Sequence, residues 1–151
     1  MGIKTDRHGL VFKPNEVKMY YNGEHTWAMK LSQLHRQKGK VRIITYSLPS
    51  IAYIIRLLGK RPRNIRIICH SKFKAEAIQI IKKYPLIKIA MCDEVHSKVC
   101  LIEPSTVYIG SANFGVSGWH ETEIPVRSKT AHDDYIKKSF NKLWLNCTKL
   151  N

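Results

Sequence analysis

Acidic residues are scarce in this sequence. Asp and Glu together number 11 against 26 Lys and Arg, a formal charge of +15 over 151 residues. A field of that sign draws polyanions and speeds their encounter. Nucleic acid and an anionic membrane both answer to it, and the electrostatic footprint favours nucleic acid. Cysteine is sparse too. Cys69, Cys92, Cys100 and Cys147 form no Cys-x-x-Cys pair. Three of the four sit in apolar, strand-like runs, where a free Cys packs as a small hydrophobe. That usage disfavours a disulfide framework and fits a reducing cytosol. Long apolar runs are missing as well. Nothing reaches the ~18 residues that would span a bilayer, and Met1 to Lys13 holds no apolar stretch of signal-peptide length. The expectation is a cytoplasmic protein without stable membrane association. No repeat, low-complexity segment or linker divides the chain, so residues 1–151 read as one domain.

What is present is a globular composition, 44% hydrophobic and 25% charged, enough for a real core at this length. Short β-branched runs alternate with amphipathic stretches. Val17 to Tyr21 reads as a strand and Glu24 to Gln37 as a helix, with Trp27, Leu31 and Leu34 at helical spacing. Strands are expected at Lys40 to Tyr46, Asn64 to His70, Leu86 to Met91, Val95 to Ile102, Thr106 to Ile109 and Glu123 to Arg127. Pro49 and Ser50 open a helix through Leu58, and Phe73 to Lys83 is another, broken by Pro85. Asp133 to Leu145 makes a terminal helix with Ile136, Phe140, Leu143 and Trp144 as its apolar stripe. Alternation of strand and helix predicts an α/β fold with a mixed, largely parallel central sheet flanked by helices.

One segment concentrates chemically useful groups: His96-Ser97-Lys98, then Gly110-Ser111-Ala112-Asn113. On an extended strand residues i and i+2 share a face, so His96 and Lys98 project together. A neutral imidazole can attack phosphorus and form a covalent phosphohistidine. A lysine beside it holds phosphate oxygens as a point charge. Ser111 and Asn113 add hydrogen bonds, and Gly110 lets the backbone approach closely. Stabilisation of the charged oxygens is then electrostatic and calls for no cofactor. A nucleophilic histidine is helped by a carboxylate on its other nitrogen. Glu121 and Glu123 are both candidates and would share a face of an extended segment, so spacing alone does not choose between them. Cys92, Asp93, His96 and Cys100 include metal-ligand types, but their spacing matches no ordinary zinc site, and no metal is expected.

The string from His96 to Asn113 resembles the phospholipase D superfamily motif, H-x-K-x4-D-x6-G-S-x-N, with both gaps of the family length. Glu103 stands where that family has Asp, a mainly structural acidic position. Ser117-Gly118 and Glu121-Thr122-Glu123 resemble the family's later S-G and N-x-E elements. The resemblance implies catalytic roles for His96, Lys98, Ser111, Asn113 and Glu123, with Glu123 orienting the histidine. It also implies a second histidine, which protonates the leaving oxygen and then activates water.

Only one copy of the motif occurs. His70-Ser71-Lys72 has no Gly-Ser-x-Asn of its own downstream and reads as a strand-end turn. The second histidine is therefore expected from a twofold mate, His96 facing His96, as in the single-motif, Nuc-type endonucleases of that superfamily. Basic residues cluster at Arg36, Lys38, Lys40 and Arg42, at Lys60, Arg61, Arg63 and Arg66, and at Lys137, Lys138 and Lys142. Together they can follow a sugar–phosphate backbone. Substrate contacts are expected from Lys60, Arg61, Arg63, His70, Lys72 and Trp119. Three function classes result: a metal-independent endonuclease on DNA or RNA, a lipid phosphodiesterase using Ile51 to Leu58 as a docking surface, and an inactive nucleic-acid-binding dimer.

Overall fold

A computed structural model describes residues 20–21, 39–58, 63–115 and 121–151. Its strands are β1 (Tyr20–Tyr21), β2 (Val41–Ile44), β3 (Ile65–Cys69), β4 (Lys88–Met91), β5 (Val99–Ile102), β6 (Thr106–Gly110), β7 (Thr122–Arg127) and β8 (Thr148–Lys149). Helix α1 covers Ile51–Leu58 and α2 covers Lys74–Lys83, with a single 3-10 turn, Ser71–Phe73, leading into α2. The C-terminal helical run has three parts: α3 (Lys129–Tyr135), a π-helical turn (Ile136–Phe140) and α4 (Asn141–Asn146). The expected helix at Glu24 to Gln37 lies outside the described residues.

The strands form one mixed sheet in the order β1-β7-β6-β5-β2-β3-β4-β8. Parallel pairing is confined to β2–β3 and β3–β4, whose connections run through α1 and α2. Every other pairing is antiparallel. The expected parallel character therefore holds at β2–β3–β4 and not across the sheet. The reason is connection length: a parallel step needs a crossover of a dozen or more residues, whereas β5, β6 and β7 follow one another too closely for one.

Alternation along the strands sends side chains to two core layers. Val41, Ile43, Ile65, Ile67, Ile89, Cys100 and Tyr108 face α1 and α2. Ile44, Ile68, Ala90, Val99, Leu101 and Val107 face the C-terminal helices. β5 is buried along its whole length, which is why Val99 to Ile102 reads as an unbroken apolar run. The C-terminal helix starts earlier than expected. The Ser128 side chain accepts a hydrogen bond from Ala131 N at 3.2 Å and caps the first turn. Asp133 sits inside the helix instead and pairs with Lys129. Among the described residues, no helix is long and apolar enough to cross a membrane.

Candidate active site

His96 and Lys98 lie just before β5 rather than on it. Pairing was expected from Val95, yet the ladder begins at Val99. The cause is the length of β6: Gly110 N donates to Lys98 O at 3.3 Å, and beyond that point the chain turns away. Buried Val95 anchors the lead-in, while the His96 side chain is exposed. The two residues still meet as the motif requires. Lys98 Nζ is 3.4 Å from His96 Nδ1 and donates to the His96 carbonyl at 2.7 Å. Partial burial holds the Lys98 ammonium below the usual lysine range, and the nearby Glu121 carboxylate opposes that shift.

Gly110 and Ser111 are set against the start of β7. Gly110 is the register partner of Glu123. A β-carbon at position 110 would overlap the Thr122 carbonyl and the Glu123 carboxylate, so only glycine fits there. Ser111 N donates to Thr122 O at 2.9 Å, and Ser111 Oγ accepts from Thr122 N at 3.0 Å. The same hydroxyl donates to the Glu121 carboxylate. The two candidate carboxylates therefore part company. Because β7 begins only at Thr122, Glu121 lies outside the strand beside Ser111, while Glu123 is buried against Gly110 at 3% exposure. Spacing left the choice between them open, and their partners now differ: Glu121 meets Ser111 and Glu123 meets Gly110.

Asn113 is spent largely on its own neighbourhood. Its Oδ1 accepts from Tyr46 N at 3.2 Å and Ser47 N at 3.4 Å, and Phe114 N donates to Thr45 Oγ1 at 2.9 Å. These bonds tie the turn after β2 to the Gly-Ser-Ala-Asn segment. That turn carries Tyr46, whose ring lies 5.4 Å from the His96 ring and 4.9 Å from the His70 ring. His70 is thus brought near His96 through one aromatic ring. His70 Nδ1 itself accepts from Lys72 N at 3.1 Å, and the Lys72 side chain is exposed. Arg63 goes elsewhere. It precedes β3 whereas His70 follows it, which puts Arg63 at the far end of the sheet from the motif. Lys60, Arg61 and Trp119 lie outside the described residues. Glu103 closes the far end of β5, where its Oε2 accepts from Lys40 N at 2.8 Å. Cys92 and Cys100 pack into opposite core layers.

His96, Lys98, Gly110 and Ser111 line one open cavity of about 600 Å³, together with Ser97, Val99, Ile109 and Tyr135. Tyr135 is the member that sequence reasoning missed. It comes from α3, a distant part of the chain, and burial pushes its hydroxyl above the ordinary phenol range against a hydrogen bond from Ser139. Its four-residue spacing from buried Ala131 marks the inner side of a helix. Nothing in the sequence says that this side covers the start of β5. The cavity presents an imidazole, an ammonium, a hydroxyl and a phenol to whatever enters, which suits a tetrahedral oxyanion such as a phosphodiester.

The family model described as cardiolipin synthase, PLD-like domain, matches residues 16–144. Among solved structures the chain is similar to Nuc from Salmonella typhimurium, a phospholipase D family member. That match has a TM-score of 0.71 at 17% identity over 90% of this chain and 99% of the other. NucT from Helicobacter pylori matches at TM-score 0.65 and 19% identity, over 88% of this chain and 99% of the other. The archaeal chromatin protein TrmBL2, whose structure is described as showing a novel mode of DNA binding, matches at TM-score 0.65 and 12% identity over 89% and 54%. At such identities the likeness speaks for the fold. A search of curated proteins found no match.

Proposed function

We propose, from the premise that the chain belongs to the PLD-like domain family, that it is a metal-independent endonuclease cleaving DNA or RNA through a phosphohistidine. The observation that carries this reading is the convergence of His96, Lys98 and Ser111 on one cavity. Lys98 binds the non-bridging oxygens, and the Ser111 hydroxyl joins it by turning its one proton from the Glu121 carboxylate to the phosphate. An arriving phosphate draws the Lys98 ammonium away from His96 Nδ1, its neighbour at 3.4 Å. The imidazole is then free to carry its proton on Nδ1 and attack phosphorus through the Nε2 lone pair. Nε2–P forms as P–O breaks, and the leaving oxygen takes a proton from the second histidine. That histidine then deprotonates water, which attacks phosphorus and releases His96. Glu123, buried against Gly110, is the carboxylate that orients the nucleophile, and Asn113 holds the adjoining turn.

The second histidine is His96 of a twofold mate. Its exposure leaves it accessible to another chain, and a shared cleft would double the basic charge around the scissile bond. The excess of 26 basic over 11 acidic residues supports a polynucleotide as substrate. The test is cleavage of plasmid and single-stranded substrates in EDTA by wild type and His96→Ala. Activity should persist with chelator and fall at least about a thousandfold in the variant. A requirement for magnesium, or a variant as active as wild type, would overturn the reading.

The description of the matching family model supports a lipid phosphodiester as the alternative substrate. Of the Ile51 to Leu58 surface expected to dock, the described side chains are mostly committed elsewhere: Ile54 is buried and Ile51 and Tyr53 pack on the core, while Ile55 faces out. Hydrolysis of anionic phospholipid vesicles without nucleic-acid cleavage would select this alternative.

A further inference from the structure

A second cavity, of about 420 Å³, lies at the other end of the sheet, under the same C-terminal helices. Lys40, Arg42, Arg66 and His132 reach it. Members of two basic clusters of the sequence, Lys40 and Arg42 of one and Arg66 of the other, meet here. Arg42 and Arg66 are register partners on parallel β2 and β3, so their side chains leave the sheet side by side. Each is laid on an aromatic ring of the C-terminal helices. The Arg42 guanidinium is 5.9 Å from the Phe140 centroid and that of Arg66 is 5.2 Å from Trp144. The two rings are themselves stacked, 5.9 Å apart at 16°. Such contacts orient a guanidinium and leave its donors at the edges.

The arrangement is costly without an anion. Two half-buried cations stand side by side, and burial, then the charge of Arg66, hold the Arg42 guanidinium below its ordinary range, with Glu103 opposing. The carboxylates in the cavity are already engaged. Glu103 accepts from Lys40 N, and Asp133 pairs with Lys129 and, at 3.0 Å, with His132 Nδ1. We infer that Lys40, Arg42, Arg66 and His132 form a second oxyanion site that takes a phosphate group, apart from the cavity at His96. Arg42 Nη1 already donates to Val41 O at 3.0 Å and to Asn64 O at 3.4 Å, so Arg42 Nη2 and the Arg66 fork are the donors offered to phosphate oxygens, and an anion between the two cations offsets their repulsion. The volume falls within the range of about 300–1,000 Å³ usual for ligand sites, so a phosphate with an attached sugar is accommodated. The site rests on its own residues and does not depend on the catalytic reading. Its phosphate comes either free in solution or on a polynucleotide strand.

Sodium pyrophosphate titrated into the full chain, read by calorimetry and by melting temperature, tests the inference. A Lys98→Ala background weakens the cavity at His96, so that the remaining binding reports on the second site. Pyrophosphate should bind this protein and raise its melting temperature. Arg42→Gln and Arg66→Gln should each weaken binding about tenfold, the loss of one charge-assisted contact. Arg66→Lys keeps the charge and the stem but not the fork, should fall between, and decides the matter if a Gln variant misfolds. Competition by a single-stranded oligonucleotide would place the phosphate on a strand, and binding of pyrophosphate without competition would make it free. Loss of all binding in Lys98→Ala, or undiminished binding in all three arginine variants, would overturn the site.

Discussion

Lys98 is the residue at which binding and stability pull in opposite directions. Burial disfavours its ammonium, so its pKa in the folded chain lies below the ordinary lysine value. Between the folded and unfolded pKa the folded state binds fewer protons. Folding is therefore penalised below that window and gains as pH rises through it. In the proposed reaction the phosphate needs the cation, and the cation is lost at a lower pH than from a free lysine. The rate of EDTA-resistant cleavage should fall on an alkaline limb placed below the usual lysine range. Lys98→Arg, whose guanidinium does not titrate there, should remove the limb while lowering the rate. A limb that survives in Lys98→Arg would assign it to another group. Gly110 answers to a different constraint. Gly110→Ala drives a β-carbon into the Thr122 carbonyl and the Glu123 carboxylate. It should destabilise the chain by about 1–3 kcal/mol in urea unfolding, the usual cost of overpacking, and lower cleavage with it. Stability within error of wild type would show that β6 and β7 part easily at this point. His96, Lys98, Gly110 and Ser111 were legible in the sequence because their partners are local or one strand away. Tyr135 was not, because it reaches the cavity from a helix distant in the chain.

Elements were legible where periodicity was strong and blurred where capping decided. β3 and α1 fall within a residue or two of their expected ends, because an apolar run or a Pro-Ser start marks them. β5 lost its first residues to the end of β6, a boundary set by the partner strand and not by β5 itself. The C-terminal helix gained four residues at its start because the acceptor at its N-terminus is Ser128 and not Asp133. Ser128→Ala should cost about 1 kcal/mol in urea unfolding, and Ser128→Asp, which keeps an acceptor, should cost less. Equal losses in the two variants would mean that the cap contributes nothing. Arg42 and Arg66 belong to the same scale. Each sits in a strand-like run, but only the register of β2 on β3 makes them neighbours.

At the scale of the whole molecule the proposed reaction turns on the second histidine. One chain supplies one motif, and His70 and His96 each lie against the Tyr46 ring, at 4.9 and 5.4 Å. If the active unit is a twofold dimer sharing its histidines, exchange of equal amounts of wild-type and His96→Ala subunits should leave about a quarter of all pairs fully wild type, against all of them in wild-type protein at the same total concentration. Activity should drop towards that value and not to half. A drop to half, together with sedimentation as a monomer at assay concentration, would place the complete site in one chain. The charge of +15 adds that nucleic-acid affinity should fall steeply with salt, in proportion to the phosphates neutralised.

Composition, motif spacing and periodicity by themselves determined the excess of positive charge, the likeness of His96 to Asn113 to a phosphodiesterase motif and the α/β alternation. Each of these depends on residue type or on intervals of a few residues, which a linear string preserves. Three other things were decided only by tertiary structure: the different partners of Glu121 and Glu123, the entry of Tyr135 into the cavity, and the meeting of Arg42 with Arg66 over Phe140 and Trp144. All three depend on strand register and on which helix covers which end of the sheet. Those are set by the mutual fit of surfaces distant in the chain, and no local interval encodes them.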